Sequence, residues 1–349
     1  MKKWLAPLVT VAILLLVVWL LYPSRRDGAP AGPSSDASSA QEVRKPTEPD
    51  SPSAAGEQEP APQPLPMPSD AEIAELLVRV QNPRNPEQQR IALEKLALQG
   101  AAIVEPLFRA TENATDRYFR EDGIRVVCRE VGPEAAGPLV RRISEEGEEL
   151  SELGVLALDI LGRLGNGSPE VIECLRECLT HADAMRKLEA TLAVGRLGNK
   201  VKSLLPLVLK SDKQMEIPGA GGGWVFGQSA ANAFARFRLG HKPEKARADL
   251  LAWADPSSCS SGDRAIALEA LVVCLGDDPR VLKLLVQGID AETGDVSNAV
   301  FSCIERLGVR MKPVEKDLRR ALPRRGYAGA VLAKVLRQID EAKTGQRRE

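Results

Sequence analysis

A glycine returns along this chain at an almost constant interval. Gly100, Gly132, Gly165, Gly198, Gly240, Gly276 and Gly308 follow one another at spacings of 32, 33, 33, 42, 36 and 32 residues. Leucine immediately precedes five of them, as Leu164, Leu197, Leu239, Leu275 and Leu307. Four residues before each glycine stand Leu96, Cys128, Leu161, Val194, Arg236, Val272 and Ile304, apolar in every unit but one. Glycine ends helices because a left-handed cap costs least where there is no Cβ. A period of this length is that of stacked helical hairpins, none able to bury its apolar surface alone. Such an array grows by adding units, so 349 residues need not mean two separate cores.

The unit Asp183 to Leu209 shows the pattern. Met185, Leu188, Ala190, Leu192, Ala193, Val194 and Leu197 spread over a wide arc, as in a helix sandwiched between neighbours. After the break at Gly198-Asn199, Val201, Leu204, Leu205, Val208 and Leu209 form one narrow stripe. The phrases RKLEATLAVGRLG, DRAIALEALVVCLG and EPLFRATEN resemble the HEAT repeat family, particularly the short bacterial type found in phycobilisome lyases. That resemblance covers residues 70–342 and implies an all-α, right-handed α-solenoid of about seven to eight HEAT-like hairpins. It carries an architecture, and no catalytic motif comes with it residue by residue. A composition 44% hydrophobic but only 4% aromatic agrees with an aliphatic, helical core.

Trp4 to Tyr22 is nineteen residues without a charge. As a helix it is about 29 Å long, close to the roughly 30 Å of a bilayer core. Residues 1–22 are therefore expected to form an uncleaved signal anchor, with Trp4, Trp19 and Tyr22 at the interfaces. A cleaved signal peptide fits less well, because Arg25 and Arg26 follow the apolar stretch at once. The expected product is a single-pass membrane protein with a cytoplasmic N-terminus and an exported repeat domain. Residues 23–69, rich in Pro, Ser and Glu, cannot build a core and are expected to be a disordered linker. Residues 343–349 form a charged tail.

Four sets of residues are candidates for chemistry. Cys174, Cys178 and His181 fall at i, i+4 and i+7 on one helix face, and thiolate plus imidazole suits zinc, although the two cysteines also sit in the apolar stripe. No metal and no cofactor is expected. The insertion KSDKQMEIPGAGGGWVFGQS, which stretches one spacing to 42, offers Trp224 and Phe226 as hydrophobic anchors for a partner. Asn232 and Arg236 break the apolar register just after it. They form either a polar notch beside the loop or the outer face of a helix rotated to bury Ala231, Phe234, Ala235 and Phe237. The fourth set is Arg319, Arg320, Arg324 and Arg325. Formal charge is −4 over residues 23–70, −6 over 71–309 and +7 over 310–349. That basic end could meet an anionic lipid or another polyanion, while the lack of interleaved aromatics argues against nucleic acid.

No H-E-x-x-H, G-x-S-x-G or P-loop pattern occurs, so the chain is expected not to be an enzyme. The sequence reads as a membrane-tethered helical-repeat scaffold that binds another protein. The alternatives are a docking module for an anionic surface and, more remotely, a lyase-like enzyme.

Overall fold

Helix boundaries follow from local signals. Ser69 caps the first helix, accepting from the Glu72 amide at 3.3 Å, and Asn85 does the same for the Gln88 amide ahead of Pro86. Ser151, Asp183 and Asp278 cap later helices in the same way. At the other ends, all seven periodic glycines adopt φ between 52° and 77°, the left-handed region the repeat requires.

A computed structural model describes residues 66–82, 85–112, 117–215, 227–257, 261–290, 294–322 and 327–345. They fall within one compact unit, Gln63–Glu349. Every element among the described residues is helical. In chain order they are α1 (Asp70–Val80), α2 (Pro86–Ala97), α3 (Val104–Arg109), α4 (Arg117–Val131), α5 (Ala136–Glu145), α6 (Glu152–Leu164), α7 (Pro169–Thr180) and α8 (Ala184–Leu197). Then follow α9 (Leu205–Met215), α10 (Gln228–Arg238), α11 (Pro243–Ala254), α12 (Ser261–Leu275), α13 (Pro279–Gly288), α14 (Gly294–Leu307), α15 (Glu315–Ala321) and α16 (Tyr327–Gly345). Short 3-10 turns at Gly100–Ile103, Gly132–Ala135, Gly198–Leu204 and Gly308–Val314 lead into α3, α5, α9 and α15.

Two layers result. One runs through α4, α6, α8, α10, α12, α14 and α16, each packed on the next. In the other, α3, α5, α7 and α9 pack in succession. The layers differ in burial. In α6 the run Leu156–Gly162 is buried without interruption, and in α8 so is Ala190–Gly195. In α7 burial is confined to Val171, Cys174, Leu175, Cys178 and Leu179, one stripe. Helices buried on most sides form the inner layer, and helices buried along one stripe form the outer one. Close approach within the inner layer depends on small residues. A Cβ added to Gly195 would meet the Phe234 ring at 2.4 Å.

The core falls into two parts that interleave at α8 and α10. One extends from Ile73 to Val208 and takes in Ala235 and Leu239, and the other includes Leu188, Leu192 and the residues from Ala230 to Ile339. Met185, expected inside, is 41% exposed, and the aliphatic stem of Arg186 takes the interior place, its Nη2 donating to the Gly147 carbonyl at 2.8 Å.

Among the described residues no helix is long and apolar enough to cross a membrane. The expectation of a single-pass membrane protein is corrected by that finding. The segment 4–22 on which it rested, and the linker 23–65, lie outside the described residues.

Candidate functional site

Asp159 on α6 is 7% exposed and gathers three guanidinium groups. Arg125 of α4 donates Nε to Oδ2 at 3.0 Å, and Arg163, one turn on, donates Nε to Oδ1 at 2.9 Å. Arg196 of α8 completes the set with Nη1 2.9 Å from Oδ1, an ion pair lying off the hydrogen-bond direction. Burial alone would raise the Asp159 carboxyl, but Arg196, Arg163 and Arg125 more than offset it and hold the group well below the usual carboxylate range. The cluster ties α4, α6 and α8 together along the inner layer.

Two carboxylates beside it have no such partners. Glu189 on α8 and Glu269 on α12 are half-buried, and neither makes a hydrogen bond or ion pair among the described residues. Glu189 keeps some surface, yet protein surrounds it on most sides. Desolvation pushes its carboxyl up to about 7, with Arg196 and Arg163 lowering it and Asp159 and Glu269 raising it further. The same field spans the inner layer, for Arg163 on α6 feels Glu269 on α12, and the Cys303 thiol on α14 feels both.

Glu189 stands nine residues before its marking glycine and Glu269 seven before its own. At those two register positions α10 carries Ala231 and Ala233, both fully buried. A half-buried carboxyl whose affinity for protons is strongly raised, as that of Glu189 is, marks a candidate functional site.

The residues singled out from sequence are dispersed. His181 does not extend the Cys174 and Cys178 face, because α7 ends at Thr180 and His181 is extended, with Nδ1 accepting the Asp183 amide at 3.1 Å. Among the described residues no group of three or more such side chains is placed to hold a metal ion. Asn232 is fully buried, its Oδ1 accepting from Gln228 Nε2 at 3.1 Å, and Gln228 also donates to Thr191 at 3.2 Å. It is thus closed to any partner, and the open notch expected there is a satisfied polar core contact. Ala231, Phe234 and Ala235 are buried in the rotated arrangement, and Arg236 pairs with Asp249 of α11 at 3.0 Å. Trp224 and Phe226, and likewise Arg324 and Arg325, lie outside the described residues. Arg319 is held by Glu315 at 2.9 Å and Asp340 at 2.6 Å, beside a shallow groove of about 460 Å³ between α15 and α16. Arg320 lies 3.3 Å from Asp317 and is largely exposed.

Sequence inspection missed Asp159, Glu189 and Glu269. One signal was within reach: the tripeptide Arg-Leu-Gly ends α6, α8, α10 and α14, putting Arg163, Arg196, Arg238 and Arg306 at one register position.

No family model matches the chain, and no curated protein does. Among solved structures, the complex of CpcE and CpcF of phycocyanin lyase from Nostoc sp. PCC7120 is similar in helical-repeat build. It is 15% identical, spans 82% of this chain and 100% of its own, and superposes with a TM-score of 0.37. The expectation that this chain is not an enzyme is corrected by that finding. The lack of a familiar catalytic motif does not exclude a reaction.

Proposed function

We propose that this chain is an array of about seven to eight HEAT-like hairpins whose concave inner layer binds another protein. The observation that carries this reading is the pair Glu189 and Glu269 on the inner layer, both half-buried and neither held by a hydrogen bond or ion pair among the described residues. A fold gains little by partly burying carboxylates that no direct bond holds. A surface that must desolvate against a partner has reason to keep them. Curved repeat arrays offer such extended concave surfaces as a consequence of the small rotation between units.

Photo-crosslinking tests the proposal. A benzophenone amino acid is placed at position 189 or 269 on the inner side, and at position 177 on the exposed side of α7, in the full-length protein within its own cells. The expected result is one discrete crosslinked protein from 189 and 269 and none from 177, with the identified protein binding again when both components are purified. Crosslinks arising only from 177, or none from the inner positions, would sink the reading.

A further inference from the structure

We infer that copies of this chain stack end to end, the last hairpin of one receiving the first hairpin of the next. The partner is a second copy, and the inference stands apart from whatever the inner layer binds.

Exposed apolar side chains are not scattered over the array. Among the described residues seven large hydrophobic side chains are exposed, and six of them belong to its two ends. Met67, Val78, Ile91 and Leu98 lie in or beside α1 and α2, while Val309 and Leu322 flank α15. Met185 alone lies between. The end units of a repeat array ordinarily turn a polar face outward, because nothing packs on it. Apolar groups gathered there mark a surface that is covered.

At the first end the exposed groups share a face. α1 and α2 run antiparallel, since Lys95 pairs with Glu72 and Gln89 Nε2 donates to the Val80 carbonyl at 2.6 Å. That register sets Val78 level with Ile91. In α1, Ala71, Ala74 and Val78 fall at i, i+3 and i+7, on the side away from buried Ile73 and Leu77. Leu77 is the residue that closes on Gly123 of α4, so the Val78 side points away from the array. In α2, Ile91 and Leu98 fall at i and i+7, 50% and 69% exposed.

The other end offers a place to receive them. The groove of about 460 Å³ between α15 and α16 is lined by Leu322 and by Ala333, Leu336 and Arg337 of α16. Ala333 and Arg337 are exposed, on the opposite side of α16 from Val331, Val335 and Ile339, which are buried as α16 packs on α14. The groove is thus the free trailing side of the last hairpin, as the Val78 face is the free leading side of the first.

Repeats stack trailing side to leading side, so these two faces are of the kinds that meet at every internal junction. Charge selects the same pairing. Residues 70–99 carry five acidic and four basic side chains, a formal charge of −1, against +7 over residues 310–349. Two C-terminal ends would repel, whereas a first hairpin is drawn to a C-terminal end. Such a junction leaves one free end of each kind, so it propagates instead of closing.

The test is sedimentation velocity of the full chain over a roughly hundredfold range of concentration. The wild type should sediment faster as concentration rises, without levelling at a dimer. Ile91→Glu/Leu98→Glu blocks the leading face, and Leu322→Glu/Ala333→Glu blocks the groove. All four positions are exposed, so both variants should fold as the wild type does, and circular dichroism checks this. Each variant alone should stay monomeric, because every junction needs one face of each kind. Mixed together they should form one-to-one dimers and nothing larger, since a single competent junction remains. A wild type that stays monomeric throughout overturns the proposal and leaves the two ends to a different protein. Association that persists in either variant alone overturns it too, placing the contact between like ends or in residues 1–65. So does a mixture that yields no dimer.

Discussion

Gly162 of α6 lies so close to Ala193 of α8 that a Cβ built on it would stand 2.7 Å from the Ala193 Cα. That obstacle is backbone and cannot rotate away. On propensity alone Gly162→Ala should gain up to about 1 kcal/mol, since glycine is a poor helix interior residue. Packing reverses the sign. The expected outcome is a loss of roughly 1–3 kcal/mol as α6 and α8 are forced apart. Gly137→Ala, on α5 with nothing within 4 Å of the added atom, is the control and should gain about 0.4–1 kcal/mol. Urea unfolding of both variants decides the point, and a loss of stability in Gly137→Ala as well would show that the two sites do not differ as described.

Asp159→Asn should be among the most damaging single changes in the inner layer. It keeps the size of the side chain but leaves Arg163 and Arg196 around a neutral group, while Arg125 keeps its pairing with Asp122 at 2.9 Å. Removing one partner from a buried ion cluster typically costs about 3–5 kcal/mol. The sign with pH follows from a folded-state affinity for protons below the unfolded one. The stabilisation is fully present above the ordinary carboxylate value and is lost as pH falls below it. Thermal melts should therefore show a large gap between wild type and variant at pH 7 that narrows toward pH 3. A gap independent of pH would mean the loss is steric.

Burial also fixes what the thiols can do. Cys128, Cys174, Cys178 and Cys303 are at most 4% exposed, and burial pushes the Cys128 thiol up to about 12. Buried neutral thiols behave as small hydrophobic groups and react slowly. N-ethylmaleimide should leave these four unmodified in native buffer for far longer than it takes to label them in guanidinium, as followed by mass spectrometry of peptides. Rapid native labelling of Cys174 or Cys178 would show that α7 opens locally.

How much of this was legible depended on whether one residue carried the constraint alone. The seven glycines were visible because each must adopt positive φ by itself, and Ser69 because its cap is local. The rotated register of α10 was visible in Ala231, Phe234 and Ala235, but the role of Asn232 was not. An asparagine in an apolar register looks like an opening, and only the fold supplies Gln228 from the preceding turn and Thr191 from α8 to close it. His181 misled because its spacing assumed a helix that ends one residue too early. Asp159, Glu189 and Glu269 stand six, nine and seven residues before their glycines, so they form no column in an aligned repeat. Their surroundings are set by how the helices stack, which no single repeat displays.

Glu189→Gln tests whether the inner carboxylates are kept at a cost. The Glu189 carboxyl is raised to about 7 by desolvation, so the folded protein binds its proton more tightly than the unfolded chain does. Between the ordinary glutamate value and about 7 the folded state holds more protons, and stability from this group therefore declines as pH rises through that window. Above it the native state carries an unfavourable charge that glutamine lacks. At pH 8 the variant should be more stable than wild type by roughly 1–3 kcal/mol, a range that allows for the water still reaching the side chain. Near pH 4 and below the difference should all but vanish, because the wild-type group is then mostly protonated in the folded and the unfolded state alike. Paired urea titrations at the two pH values measure it. A variant less stable at pH 8 would mean that Glu189 already has a stabilising partner within the fold.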